Sequence, residues 1–300
     1  MFKPRIAARG TALLLAVAAC LTSASLAPAL AGASVTMAGA GGSERVAYGQ
    51  RVELAGNAAP GSVVRLEHAP RGKAWRRASR TTATANGKYE FSVRARGSGD
   101  WRAVSDAGVY SAARRVTVVA RLKGRVRRHV LGVRPVRVEG RLVPGLGRRP
   151  VRLEVRGRGG WKPVDRSRTR AGGAYSASFR PRSTGVYRLR VRFAGNASHA
   201  GDVATLPPVS VYSPGGASWY GPGFYGGRTA CGQTLDGSIR GVAHRSLPCG
   251  TKVRLYYRGR SVTARVIDRG PYHGSRSWDL TPATKQALRF GSTGTVWAAY

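Results

Sequence analysis

Val64-Arg65-Leu66-Glu67 returns just under ninety residues later as Val151-Arg152-Leu153-Glu154. Three further markers return in the same order: Trp75 as Trp161, Gly87-Lys88-Tyr89 as Gly173-Ala174-Tyr175, and Gly99-Asp100-Trp101-Arg102 as Gly185-Val186-Tyr187-Arg188. Two homologous units therefore follow one another, and whatever fold the first adopts the second must share. Within each, short alternating runs such as Tyr89-Glu90-Phe91-Ser92-Val93 and Val186-Tyr187-Arg188-Leu189-Arg190-Val191 are separated by the turn signals Asn86-Gly87, Gly172-Gly173 and Pro144-Gly145. That spacing predicts two antiparallel β-sandwiches, over residues 34–120 and 121–212.

The same alternation says where the charge goes. The chain carries 51 Lys and Arg against 13 Asp and Glu, a net charge of +38 over 300 residues, which calls for a polyanionic neighbour or at least discourages self-association. In Val186 to Val191 and in Val136-Arg137-Val138-Glu139 the apolar residues fall on one face and the charges on the other. Two readings of these basic faces stay open: solvated sheet surfaces rich in arginine, or adhesion to anionic cell-wall polymers through many weak, salt-sensitive contacts. With 42% hydrophobic residues, 6 Trp and 12 Tyr, the chain can bury cores and is no disordered polycation. In pattern the two units resemble bacterial immunoglobulin-like modules, which space enzymes and binding domains away from a surface.

Export narrows the choice of polyanion. Lys3, Arg5 and Arg9 precede the apolar run Leu13 to Ala19, and Ala29-Leu30-Ala31 offers small residues at a cleavage spacing, so residues 1–31 read as a secretory signal peptide. The apolar run is shorter than the ~20 residues of a membrane span. The mature protein is expected to be secreted and wall-associated, without a transmembrane segment, which argues against nucleic acid as a partner. Val17-Ala18-Ala19-Cys20 also reads as a lipoprotein cleavage site, the alternative route to the surface. Cys231 and Cys249 would be the two cysteines left in the mature chain. In an oxidising compartment such a pair suits a disulfide; a zinc site of Cys231, His244, Cys249 and His273 is the competing arrangement.

Ser213-Pro214-Gly215-Gly216 reads as a linker, and a different composition begins at Ala217. Five motifs follow in order: Ala217-Ser218-Trp219-Tyr220-Gly221; Gly227-Arg228-Thr229-Ala230-Cys231-Gly232; Val242-Ala243-His244-Arg245-Ser246-Leu247-Pro248-Cys249-Gly250-Thr251; Val266-Ile267-Asp268-Arg269-Gly270-Pro271; and Trp278-Asp279-Leu280-Thr281. This order resembles the RlpA-like double-psi β-barrel family. The resemblance covers residues 217–300 and none of the sandwiches, and it implies a six-stranded double-psi β-barrel, with a short helix expected from Pro282 to Leu288. The whole chain is thus expected to be all-β, two tandem immunoglobulin-like sandwiches followed by the barrel. The family includes septal lytic transglycosylases, lyases that cleave peptidoglycan glycan strands. It shares its barrel with expansins, which loosen wall polysaccharide without evident hydrolysis.

The residues themselves limit the chemistry. Residues 217–300 hold three side-chain carboxylates, Asp236, Asp268 and Asp279, and no Glu. Hydrolytic glycosidases use two carboxylates at defined separations. A lytic transglycosylase needs an acid for the glycosidic oxygen and a base for the muramic acid C6 hydroxyl, and one carboxylate can serve both in turn. Asp268 is the first candidate, since it ends a β-branched strand just before the turn Arg269-Gly270-Pro271; the competing role is a turn cap paired with Arg269. Asp279 and His244 complete the expected catalytic set, His244 tuning Asp268 or bonding the sugar. Asp279 competes as a cap or buried partner, His244 as a structural residue. Asp236-Gly237 reads as a turn.

Tyr220 is the aromatic expected in the groove, with Trp219 packing in the barrel. Thr229, Gln233 and Arg269 are further candidates for holding glycan. Gln233 also marks a departure. Transglycosylase members of the family carry a Glu shortly after the Thr-Ala motif, and an amide cannot exchange a proton at neutral pH, so a non-catalytic expansin-like or polysaccharide-binding barrel is the alternative reading. A purely structural or adhesive role for the sandwiches is a third. No dinucleotide fingerprint, phosphate loop or metal cluster implies a cofactor.

Overall fold

A computed structural model describes residues 34–145 and 147–300; the expected signal peptide and Cys20 lie outside the described residues. Burial with period two, the mark of a strand with one face in a core, runs through the first unit. Its strands are β1 (Ser43–Ala47), β2 (Arg51–Asn57), β3 (Val63–Pro70), β4 (Arg76–Thr82), β5 (Lys88–Arg94), β6 (Gly99–Ser105) and β7 (Arg114–Val119). They form two facing layers. In one, β1, β7, β6, β3 and β4 lie side by side with β1 parallel to β7; in the other, β2 pairs with β5. Val64, Leu66, Ala103 and Val116 from the first layer meet Val52, Leu54 and Phe91 from the second in one core.

The second unit contains β8 (Arg121–Val126), β9 (His129–Leu131), β10 (Val136–Val143), β11 (Pro150–Gly157), β12 (Gly160–Arg168), β13 (Ala174–Phe179), β14 (Gly185–Tyr187), β15 (Leu189–Gly195) and β16 (Ala200–Thr205). Its layers are β12-β11-β15-β16 and β13-β10-β8, again closed over a common core. The two units are not independent beads. β16 pairs with β7 through Ala200 and Val119, so one sheet runs through both. Buried His199 places its Nε2 2.9 Å from the Arg96 carbonyl, and the Ser98 amide donates to the Ser198 carbonyl at 2.8 Å.

The repeat survives in three dimensions with one shift of register. In the first unit Glu67 takes Arg102 at 2.8 Å, and that guanidinium lies 4.2 Å from the Trp75 ring centroid. In the second, Glu154 takes Arg190 at 2.6 Å, with the guanidinium 4.4 Å from the Trp161 centroid. Arg190, not Arg188, therefore stands where Arg102 stands. The physical reason is that the strand continuous as β6 is broken here into β14 and β15: β15 stays beside β11, while β14 leaves to pair with Val209–Val211, the end of the unit that runs on into the next. Glu154 is only 5% exposed, so removing its partner strands a buried charge. Arg190→Met should destabilise the protein by about 3 kcal/mol, read by urea unfolding; a loss below about 1 kcal/mol, the range of exposed pairs, would mean the pair is not buried in effect.

The remaining elements are β17 (Val209–Trp219), β18 (Gly241–Ala243), β19 (Lys252–Tyr257), β20 (Arg260–Asp268), β21 (Trp278–Leu280), α1 (Pro282–Leu288) and β22 (Gly294–Ala299). The segment expected as a linker is the middle of β17. Its first half pairs with β14 and β9 of the second sandwich, and its second half with β22 and β21. Gly215 serves packing rather than flexibility here: a Cβ on it would meet Trp278 Nε1 at 2.8 Å. β17, β21, β18, β20, β19 and β22 pair in that order, and β22 pairs back onto β17, closing a six-stranded barrel around its own core. The helix α1 spans the residues expected of it, with Pro282 in its first turn. No helix among the described residues is long and apolar enough to cross a membrane.

Candidate active site

Three neighbouring strands bring the expected acids to one end of the barrel. Ala243, the last residue of β18, pairs with Asp268 at the end of β20 on one side and with Asp279 on β21 on the other. At a strand spacing of ~4.8 Å, the two aspartate backbones stand ~10 Å apart. β17 lies against β21 with Ser218 opposite Asp279, and Tyr220 follows directly after this strand. The close packing under this row is set by Gly241, where a Cβ would meet Ile267 Cδ1 at 2.4 Å.

Asp268 is held by main chain. Its Oδ1 accepts from the amides of Ala230 and Arg269, each at 2.8 Å, and its carbonyl accepts from the His244 amide at 3.1 Å. The turn-capping role is thus real, but the ion pair with Arg269 is not. The Arg269 guanidinium instead reaches the carbonyls of His244 and Asp268 at 3.5 Å and Cys249 Sγ at 3.3 Å. Asp279 Oδ1 accepts the Ser218 hydroxyl, and the cap position of α1 belongs to Thr281. Tyr220 stands near both acids. Its buried hydroxyl meets no acceptor in good geometry, and its pKa is pushed up by burial first and then by Asp268 and Asp279. It therefore keeps its proton beside Asp268 and Asp279.

His244 is a structural and electrostatic element of the same rim. Its Nδ1 accepts from the amides of Ser246 at 3.2 Å and Leu247 at 3.1 Å, which assigns the proton to Nε2, and its ring packs 4.5 Å from that of Trp278. Burial, and then the nearby Arg269 and Arg245, lower its pKa from 6.5. A depressed folded-state value means that the unfolded chain takes up this proton first, so stability is lost as pH falls through about 6.5 and below. His244→Asn, whose Oδ1 can accept at the Nδ1 position, should flatten the fall in melting temperature between pH 7 and pH 5. An unchanged pH profile would remove His244 from that role.

The other expected residues divide. Cys231 and Cys249 form a disulfide, which takes both thiols out of the competing zinc arrangement; the described residues contain no group of three or more His, Cys, Asp or Glu able to hold a metal. Thr229 is turned inward, 7% exposed, its Oγ1 accepting from the Gln233 amide at 3.2 Å. Gln233 itself is exposed, in the turn closed by the Thr229 amide on its carbonyl at 2.7 Å. Asp236 accepts from the Ser238 amide and hydroxyl and the Ile239 amide, which lower its pKa and fix it as a turn. Trp219 is half-buried, with Lys285 Nζ 3.7 Å from its ring centroid.

Sequence reasoning passed over an aromatic rim. Phe224, Tyr225 and Tyr272 are 62%, 49% and 74% exposed, well above what core aromatics show. Phe224 lies edge-on to Tyr220 with centroids 6.2 Å apart, and Arg245 fixes the Tyr272 loop by donating to the carbonyls of Pro271 at 2.6 Å and Gly274 at 2.8 Å. The signal was available: aromatics set among glycines, as in Gly221-Pro222-Gly223-Phe224-Tyr225-Gly226-Gly227, have little around them to be buried in.

Residues 212–300 match the profile of a family described as lytic transglycolase. Residues 212–300 are an RlpA-like double-psi β-barrel. Curated relatives match the C-terminal part of the chain. A protein of Synechocystis sp. named "Probable endolytic peptidoglycan transglycosylase RlpA" is 45% identical over 80 residues, 26% of this chain and 25% of that one. The endolytic peptidoglycan transglycosylase RlpA of Neisseria meningitidis is 43% identical over 84 residues, covering 27% and 35%. That of Campylobacter jejuni is 34% identical over 127 residues, covering 37% and 46%. The chain thus spans between a quarter and a half of the length of these relatives, and the likeness rests on the RlpA-like barrel.

Proposed function

We propose that the RlpA-like barrel cleaves peptidoglycan glycan strands as a lytic transglycosylase, with Asp268 as its acid and base, in an exported, wall-associated protein. The observation that carries this reading is the carboxylate at the end of β20. Its Oδ1 is fixed by two amides, Oδ2 is free of main-chain donors, and the Tyr220 hydroxyl lies alongside. In the protonated form Asp268 gives its proton to the glycosidic oxygen as the bond to the muramic acid C1 breaks. The resulting carboxylate then takes the proton of the C6 hydroxyl as that oxygen closes on C1. The products are a new sugar hydroxyl and a 1,6-anhydro ring, no water is consumed, and Asp268 ends as it began. Phe224, Tyr225 and Tyr272 offer faces on which sugars stack.

A second reading, glycan binding or loosening without cleavage, is favoured by one observation, the amide of Gln233 in place of an acid. Purified sacculi distinguish the two. Digestion by the full chain should release soluble fragments ending in anhydromuramic acid; binding to sacculi with no release would leave the non-catalytic reading standing.

A further inference from the structure

The junction of the second sandwich with the barrel encloses a cleft of about 1110 Å³ that takes no part in the site above. Arg125, Arg127, Arg134, Arg137 and Arg180 line it, against one carboxylate, Glu139, which Arg125 holds at 3.0 Å. A second cavity of about 530 Å³ adjoins it, sharing Ser178 and Arg180 and adding Arg182 and one acid, Asp165. Asp165 is already engaged by the Ser178 amide at 2.7 Å. Arg127, Arg134, Arg137 and Arg180 are exposed, and no acceptor is recorded for any of them among the described residues. Six guanidinium groups thus stand along one groove whose two carboxylates are both occupied.

Two walls form this groove. One is the outer face of the β13-β10-β8 sheet, where Arg137 is paired in register with Ser178 and Glu139 with Arg125. The other comes from β9 and the barrel's Tyr256. β17 joins them: β9 pairs on it at Ser210 to Tyr212, His129 Nδ1 lies 2.7 Å from the Tyr212 hydroxyl and Arg254 reaches the Ser210 hydroxyl at 3.3 Å, while Val209 and Val211 share a core with Val136 and Phe179 of the facing sheet. The backbones of Arg125 and Arg137 are thus set by paired strands, and the arginines gather on one groove. Arg125 lies on β8 and Arg127 just past its end, where extended chain spaces alternate residues ~6.8 Å apart. Guanidinium forks at such intervals suit a chain of regularly spaced phosphate or carboxylate groups.

We infer that this groove binds a linear polyanion, a wall polymer with phosphodiester or uronate repeats, and so holds the chain against the wall independently of catalysis by the barrel. A base-bearing polyanion fits less well. Single-stranded nucleic acid is gripped by successive aromatic platforms, whereas the groove's rings pack on one another, Tyr256 5.0 Å from His129 and Phe179 edge-on to Tyr187 at 5.0 Å.

The test is binding of the full chain to labelled inorganic polyphosphate, to polygalacturonate and to a single-stranded DNA of equal charge, measured by fluorescence anisotropy between 50 and 200 mM salt. The affinity for polyphosphate should fall with salt at a slope of about 0.7 per contacted charge. Arg127→Gln/Arg134→Gln/Arg137→Gln/Arg180→Gln should weaken binding by at least ~10-fold and make that slope shallower by about 3. Arg76→Gln/Arg77→Gln/Arg80→Gln/Arg94→Gln, which removes as much charge from exposed strands of the first sandwich, should change affinity by less than ~3-fold. Polyphosphate favoured over polygalacturonate would name phosphate as the recognised group, and the reverse would name carboxylate. Equal losses in the two quadruple variants, or none in the first, would overturn the site, as would DNA bound ~10-fold more tightly than either polymer. Should the cleft variant fail to show the wild-type melting transition, Arg180→Gln alone, on the wall common to both cavities, should still reduce the slope by about 0.7.

Discussion

Asp268→Asn should reduce the release of muramyl fragments from sacculi by a factor of about 10² to 10⁴, the range general acid–base catalysis supplies. The substitution is informative because it is nearly silent structurally. An Asn Oδ1 can accept the Ala230 and Arg269 amides as the carboxylate does, so the β20 turn keeps both bonds and only the exchangeable proton is lost. Unfolding midpoints should coincide within the ±0.5 kcal/mol typical of a tolerated surface change. Asp279→Asn, by contrast, alters a carboxylate already holding the Ser218 hydroxyl, and should lower the rate less. If Asp268→Asn retains wild-type turnover while Asp279→Asn loses it, the acid has been assigned to the wrong strand.

Gln233→Glu should act in the opposite direction. The side chain stands exposed in the turn whose Ala230 amide holds Asp268, so a carboxyl group there adds a second proton-transfer group to the same rim. Dividing acid and base between two residues spares Asp268 from having to change protonation state within one event. The rate of anhydro product release should rise by about 10². The turn should hold, since its bonds run through the Gln233 carbonyl and amide to Thr229 and not through the side chain. A variant no faster than wild type would mean that the position contributes hydrogen bonding alone.

Much of this molecule was legible because the determining interactions are local. Alternation in Val64-Arg65-Leu66-Glu67 fixes which side chains face a core, and Asp268 is positioned by the strand it ends and the turn it begins. Pro282 opens a helix because its missing amide proton is not needed there. Long-range packing was less legible. Pro214-Gly215-Gly216 carries the composition of a linker, yet becomes the centre of an eleven-residue strand because Trp278, more than sixty residues away, requires a backbone without a side chain at Gly215. Arg190 could not be told from Arg188 by repeat alignment, since the break between β14 and β15 depends on pairing with Val209–Val211, more than twenty residues further on. The arginine cleft escaped notice for the same reason: its lining is drawn from β8, β9, β10, β13 and β19, segments far apart in the chain.

The central claim, cleavage by proton exchange at one carboxylate without water, is tested most directly by digesting sacculi in H₂¹⁸O and weighing the fragment ends by mass spectrometry. Intramolecular closure predicts 1,6-anhydromuramyl ends carrying no ¹⁸O, in amounts that depend on Asp268. Reducing ends heavier by one ¹⁸O would show that water, not the C6 hydroxyl, attacks C1, and would contradict the account.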